Sequence, residues 1–455
     1  MSAEPTSFAR VAVVGAGLAG LRAAWLLARQ GIDVVVYEAR TVVGGRACGE
    51  WCDGHWMDSA WPVLEAGNAT LLRWAVDLGL ADDMLPLRPV QMKAWHRGRA
   101  HPIEPTSLRG AAWIPGWPIL QTPRLLRWPR LMARYAKQID PSEPARAAAL
   151  DYRSVRDHVE LYFGRAALDV WLTPELQTSY GDSVEDLSRV ALLQFARARG
   201  LGAARPGMAG LPRRPLADLA QASAEGLRVF RGLRVERIDE EPSGGYRIEA
   251  IDDAGRRSDA CFESVVVTTP AREALRIASP LLTLAERDAF SGMRERSVVC
   301  LALAVDGVET GIPQEIRFPR GDASIVASLV LEPGQLLGRA PEGHSQIVAL
   351  LRDAASARAA SEPDDVVTKR ALRALARVRP DLEERVLATR VARSSVPFFE
   401  VGSYRRLERF VRVQRDRRTL GRRLYWAGDQ YAGAGFEAAV LSGDRAAAEV
   451  AADLA

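Results

Sequence analysis

Four consecutive apolar residues, Val11 to Val14, are the first patterned stretch of the chain. Their brevity ahead of a glycine turn predicts a buried parallel strand rather than a helix. A leucine- and alanine-rich run with helical spacing continues to about Gln30, Gly31 stops it, and residues 32–37 predict a second strand that ends at Glu38. Apolar runs return at 227–239, 245–251 and 264–268, which predict three strands joined by turns at Pro242-Ser243-Gly244 and 252–255. Between these blocks, residues 151–193 read as helix broken at Gly164, Pro174 and Gly181, and residues 297–305 read as a strand. Near the C terminus a short aromatic strand from Leu424 enters a glycine-rich loop and then an alanine-rich helix from about Phe436. The pattern predicts an α/β fold.

The first turn reads Gly15-Ala16-Gly17-Leu18-Ala19-Gly20, a G-x-G-x-x-G spacing inside a βαβ unit of the usual length. In such a turn Gly15 permits the tight bend, Gly17 lets a pyrophosphate approach the backbone, and Gly20 lets the helix pack close to the sheet. The amides of the helix start, around Leu18 and Ala19, and its positive dipole end face the phosphates. Glu38, with Ala39 beside it, can accept hydrogen bonds from both ribose hydroxyls of an adenosine, and its charge disfavours a 2′-phosphate. Gly44-Gly45-Arg46 follow, where backbone amides and a planar guanidinium suit the same diphosphate. A glycine-rich turn with no ligand is the bland alternative. Both strands, the helix and Glu38 in register count against it.

Composition narrows the class without naming a reaction. At 455 residues the chain is long enough for two or three domains, and 48% hydrophobic with 26% charged residues suit a soluble globular protein. The net charge is +4, and three lysines (Lys93, Lys137, Lys369) stand against 58 arginines. That skew fits a GC-rich genome better than nucleic-acid binding, and no nucleic-acid motif appears. Cys48, Cys52, Cys261 and Cys300 have no zinc or C-x-x-C spacing, so free thiols and no metal are expected. Residues 1–10 lack an apolar signal core, and no run reaches the ~18 apolar residues of a membrane span. A cytoplasmic protein is expected.

Residues 93–137 stand apart. They carry nine basic residues and one acid, Glu104, among Trp95, Trp113, Trp117 and Trp128. Such a segment can rest on an anionic membrane face or guide a lipophilic or anionic substrate, and it can also be a cap whose arginines face water. Pro115, Pro118, Pro123 and Pro129 interrupt helical amphipathicity and favour the cap. His158, a helical histidine with no visible partner, reads as a surface residue. The basic run between 403 and 423 reads as a solvated helix face.

Gly15-x-Gly17-x-x-Gly20, Glu38 and Gly44-Gly45-Arg46 together resemble the FAD signature of the flavoprotein amine oxidase superfamily, and the resemblance spans nearly the whole chain. The 53–80 block and the 206–212 return resemble further blocks of that superfamily, while the 151–193 helices with their Leu187-Ser188 pair, and residues 396–409, are similar to its protoporphyrinogen oxidase and phytoene desaturase branch. The resemblance implies a Rossmann-type, doubly wound FAD-binding domain built from residues 1–92, 206–275 and 416–455. It also implies an inserted substrate domain of mixed sheet plus helices, residues 93–205 and 276–415. It places Gly428 and Asp429 at the diphosphate and ribityl chain, Phe436 and Ala438 at the helix start facing the flavin, and Val235 at the adenine. Ala60 stands where family members usually have Gly, and Trp61 falls near the flavin ring or is an ordinary core tryptophan.

The implied chemistry is hydride transfer from a C–C or C–N bond of a bulky, mostly apolar small molecule to flavin N5, with oxygen or another acceptor closing the cycle. The FAD is expected to be non-covalent, because no attachment motif stands out. Trp61, Phe398, Tyr431 and Phe436 are the substrate-pocket candidates, and no catalytic triad or acid–base pair is visible. An amine or amino-acid oxidase is the close alternative. Against it, the lysine that many amine oxidases carry in the 297–305 strand would fall at Cys300, and their cage tyrosine would fall at Gly435. A redox-neutral flavin-dependent isomerase is a further alternative. A flavin-free lipid escort is disfavoured by the intact Glu38, Gly45-Arg46 and Gly428-Asp429.

Overall fold

The computed structural model describes residues 10–65, 67–202, 209–308, 311–333 and 338–455. Two compact units divide the chain: residues 1–47, 217–293 and 406–455 form the first, and residues 48–216 and 294–405 the second. Residues 48–92 thus group with the second unit, and 276–293 and 406–415 with the first. Met57 shows why for the early stretch, since it packs against Ala302 and Ala304 of the second unit's sheet.

The first unit is built on a parallel sheet with strand order Arg228–Arg231, Val34–Glu38, Val11–Val14, Ser264–Val267 and Leu424–Trp426. Its central strands are buried on both faces, which is why they are unbroken apolar runs rather than alternating ones. Helices Leu18–Arg29 and Phe436–Leu454 lie against one another at Gly443. A Cβ there would come within 2.6 Å of the Ala19 carbonyl oxygen. Gly232, at φ +68, splits the expected 227–239 strand in two. Arg228–Arg231 joins the parallel sheet, while Leu233–Glu240 starts an antiparallel sheet with Tyr246–Asp252 and Arg257–Phe262. The last of these strands escaped the sequence pattern because its first residues, Arg257-Ser258-Asp259, are polar and exposed.

The second unit holds a seven-stranded mixed sheet with Arg294–Asp306 and Val386–Phe398 as its long strands. Along the former, Val299, Leu301, Leu303 and Val305 face one core and Ala302 and Ala304 face another, the period-two signature of a sheet covered on both sides. A hairpin, Gly49–Cys52 with His55–Asp58, turns at Asp53 and Gly54, whose φ values of +47 and +77 suit a two-residue loop. The 151–193 stretch is helical in pieces, Val155–Tyr162, Ala167–Leu172 and Thr173–Leu176, with Arg189–Arg199 after it.

Two sequence expectations are corrected here. His158 is not at the surface. It is fully buried beside Tyr162, neither ring nitrogen finds a hydrogen-bond partner among the described residues, and burial, then Arg189 and Arg153, push its pKa down to about 4. The 403–423 run is not simply a solvated face either. Arg417 and Arg422 turn inward onto the buried carboxylate of Glu286, and Arg418 pairs with Asp453. No described helix is long and apolar enough to cross a membrane.

Candidate functional site

The nucleotide-type turn sits at the C-terminal edge of the parallel sheet, where ligands of open α/β sheets bind. Gly15, at φ +105, donates its N–H to the Tyr37 carbonyl at 2.8 Å. A Cβ on Gly20 would strike the Gly15 carbonyl, and one on Gly15 would come within 2.7 Å of Thr268 Oγ1. The Thr268 hydroxyl clips the turn from the neighbouring strand, 2.9 Å from the Val14 carbonyl oxygen and 3.0 Å from that of Gly15. Gly17 is different, because a Cβ there meets nothing within 4 Å. Its role is an open approach to the backbone, not internal packing.

Glu38 is buried, and its Oε2 accepts from the Ala16 N–H at 2.7 Å while Oε1 accepts from the Arg40 N–H at 2.9 Å. The carboxylate therefore braces the glycine turn as well as marking the strand tip, and Ala39 beside it is exposed. The 44–46 step closes onto the same turn. Gly44 donates to the Ala16 carbonyl at 2.8 Å, and a Cβ on Gly45 would stand 3.1 Å from the Gly17 Cα. Two backbone segments thus approach each other at distances only glycine tolerates.

Arg46 and Asp429 form a bidentate pair, with Nη1 to Oδ2 and Nη2 to Oδ1 both at 2.7 Å. The fork expected to grip a diphosphate grips the Asp429 carboxylate instead, joining the two ends of the chain. Gly428, at φ +140, donates its N–H to Ser442 Oγ at 2.7 Å, which ties the loop to the last helix. That helix starts at Phe436 after Gly435 with no capping side chain, as the helix from Leu18 does after Gly17. Both starts leave first-turn amides without intrahelical partners, and Phe436 and Ala438 are half-buried there. Val235 is buried, and its carbonyl accepts from Arg276 at 3.1 Å. Tyr431 is buried against Phe410, their rings stacked with centroids 5.5 Å apart.

The remaining candidates, Ala60, Trp61 and Phe398, belong to the second unit. Trp61 is half-buried against Val63, Val90, Leu211 and Val330, and Phe398 is buried with the Arg294 guanidinium 5.9 Å from its ring. The 206–212 return lies outside the described residues at 206–208. Of its remainder, Ala209–Leu211 forms a strand.

Sequence reasoning missed the second unit's buried charges. Arg339 reaches Asp58 at 3.2 Å and Glu332 at 3.5 Å, with all three buried. Burial pushes Glu332 up to about 7 against the pull of Arg339, and Asp58 adds to the rise. Nearby in chemistry but separate, Glu65, Glu175 and Glu315 face Arg199 and Arg317. Periodicity treats charges as surface, so only the i, i+2 spacing of Glu315 and Arg317 along their strand hinted at a shared face. The crevice between Ile114, Trp171 and Arg317 has a volume of ≈ 10 Å³, room for a water molecule and not for a substrate.

The sequence profile described as flavin containing amine oxidoreductase matches residues 18–451. The chain belongs to that family. An oxidoreductase of this flavin family from Mycobacterium tuberculosis, AofH, assigned as a flavin-containing monoamine oxidase, is 28% identical over 291 residues, covering 60% of this chain and 59% of that protein. The chain therefore spans less than two thirds of that relative. Hydroxyneurosporene desaturase of Rubrivivax gelatinosus is 35% identical over 105 residues, 22% of this chain and 19% of the desaturase. The crystal structure of an Exiguobacterium protein assigned as a protoporphyrinogen oxidase shares the fold, with a TM-score of 0.71, 18% identity, and coverage of 100% of this chain and 99% of that one.

The residues present fit the flavin that the family name implies. The open face at Gly17, the glycine-only contact of Gly45 and two uncapped helix starts make a cradle that a side chain would fill. Gly17→Ala tests that reading. Its φ of −73 suits alanine and its Cβ has space, so thermal stability should change little. Retention of FAD through gel filtration should fall by about tenfold or more, the effect of one misplaced contact. A variant that keeps its FAD would remove Gly17 from the cradle.

Proposed function

We propose that this flavin family member is an FAD-dependent oxidoreductase that removes hydride from a C–C or C–N bond of a bulky, mostly apolar small molecule. The observation that carries the reading is the first unit's cradle, in which the Gly15–Gly20 turn, Gly44–Arg46 and Gly428–Asp429 converge around open backbone. When bound, FAD would supply the two-electron acceptor at its N5. Gly17, Leu18 and Ala19 at the first helix start would hold its phosphates, Glu38 the adenosine ribose, and Val235 the adenine. Arg46 would act by fixing Asp429, which with Gly428 faces the linking chain. The uncapped start at Phe436 and Ala438 would present a positive helix end to negative charge on the reduced flavin.

Tyr431 and Phe436 are the first unit's candidates for meeting the substrate, and Ala60, Trp61 and Phe398 are those of the second unit. The FAD is held non-covalently, oxygen or another acceptor reoxidises it, and the protein works in the cytoplasm. The relatives include both a desaturase and an assigned monoamine oxidase, so the amine or amino-acid oxidase is the second reading. Cys300 weighs against it, because burial pushes its thiol up to about 12 and leaves a neutral group where a lysine would act.

Anaerobic mixing with hydrocarbon-rich and amine substrates, followed by the bleaching of flavin absorbance, separates the readings. Bleaching by an apolar C–C substrate supports the first, and bleaching only by amines moves the assignment to the second. Turnover without consumption of any acceptor would instead indicate isomerisation. FAD-loaded protein that no substrate of either class bleaches or converts would overturn the proposal.

A further inference from the structure

Ahead of the α-helix Arg127–Tyr135, which buries Trp128, Leu131 and Tyr135, the basic segment has an apolar outer edge. Residues Ile119–Leu126 form a 3₁₀ helix, in which side chains three apart eclipse one another. Leu120, Pro123 and Leu126 share one such edge, and all three are exposed, Leu120 at 92% and Leu126 at 66%. Trp113 and Ile119, just before it in the chain, are exposed as well, at 78% and 79%. These are not core residues caught between homes. Leu125 points inward, Trp117 and Trp128 pack on the buried Trp171, and Trp128 donates to the Leu201 carbonyl at 2.8 Å. The inner face is pinned, so the outer apolar residues are held in water.

Within residues 109–134 the charge has one sign. Arg109, Arg124, Arg127, Arg130 and Arg134 are exposed within the same segment. None forms an ion pair with an acid among the described residues. Arg127 donates to the Tyr162 carbonyl at 2.9 Å. Exposed arginines elsewhere do find acids, as Arg10 does with Glu263, Arg256 with Asp252 and Arg358 with Glu362. Glu104, the only acid between 93 and 137, is turned onto Thr106 and Ser107.

We propose that residues 113–134 dock the protein on an anionic phospholipid surface, with Trp113, Ile119, Leu120 and Leu126 entering the headgroup region and the arginines meeting lipid phosphates. An apolar edge ringed by basic residues without acids has its complement in a negatively charged bilayer, where hydrophobic insertion and charge attraction act together. The inference is independent of the proposed reaction.

The test is co-sedimentation of the full-length chain with phosphatidylglycerol-containing vesicles and with phosphatidylcholine vesicles. Binding to the anionic vesicles is expected, with at least about tenfold weaker binding to the neutral ones and in high salt. Leu120→Asn with Leu126→Asn, and separately Arg124→Gln with Arg130→Gln, should each weaken it about tenfold or more without changing the melting temperature. Leu420→Asn, an exposed leucine of the first unit, should leave it unchanged. Absence of binding to anionic vesicles, or binding indifferent to both pairs of changes, would overturn the proposal. So would self-association in solution that the leucine changes abolish, since a second copy would then cover this edge.

Discussion

Arg46→Ala is expected to yield protein without bound FAD and with unfolding free energy lowered by about 3 kcal/mol. Asp429 is almost wholly buried, and both its oxygens are met by the Arg46 fork at 2.7 Å. Removing the guanidinium leaves a carboxylate that is 3% exposed without its paired cation, the costly way to break a pair, and the 36% exposure of Arg46 keeps the cost at the low end because water can enter the space it leaves. The Gly428–Asp429 loop would then leave its place beside Gly45, and the cradle with it. Arg46→Lys keeps the charge but not the planar fork, so partial retention of FAD is expected. The checks are flavin retained after gel filtration and the urea midpoint. An Arg46→Ala protein with full stability and full flavin would show that the pair is incidental.

Glu286→Gln should also cost about 3 kcal/mol, although it lies away from the turn. Glu286 closes a capping box with Thr283 at the start of helix Leu284–Ser291 and receives Gln414 and Arg417, each at 2.6 Å, and Arg422. Gln414 in turn accepts from Trp426 Nε1 at 2.9 Å, in the strand that delivers Gly428 and Asp429. Burial works against the Glu286 charge, but Arg422, the Thr283 N–H and Gln414 outweigh it and bring its pKa down to about 2 from 4.5. Because the folded value lies below the unfolded one, this stabilisation is present above about pH 4.5 and is lost as pH falls towards 2. Urea denaturation between pH 6 and pH 3 should therefore show a steeper loss for the parent protein than for Glu286→Gln. Parallel losses would show that the charge of Glu286 does not stabilise the fold.

The parts of this molecule that could be read in advance are those whose physics is local. The bend at Gly15, the helix start after Gly17 and the strand tip at Glu38 lie within one βαβ unit, and spacing alone carried them. The Asp53-Gly54 hairpin had a local signal too, but its strands are too short to show a period. Arg46 illustrates the opposite case: its partner is 383 residues away, so the residue could be singled out but not what it holds. His158, Glu286, Asp58 and Glu332 were misread or missed because a polar residue in a helix or strand looks like surface until the tertiary fold covers it. The prolines of 115–129 break the α-helix only in part: a 3₁₀ helix over Ile119–Leu126 accommodates Pro123 and gives an apolar edge, while Pro129 sits in the first turn of the α-helix Arg127–Tyr135, where its missing N–H costs nothing.

The first unit is expected to hold FAD. The direct measurement is the absorbance spectrum and bound-flavin content of the folded full-length chain after incubation with FAD and gel filtration. Stoichiometric FAD is expected, released intact by denaturation and lost on Gly17→Ala or Arg46→Ala. A folded, colourless protein that retains no FAD would contradict it.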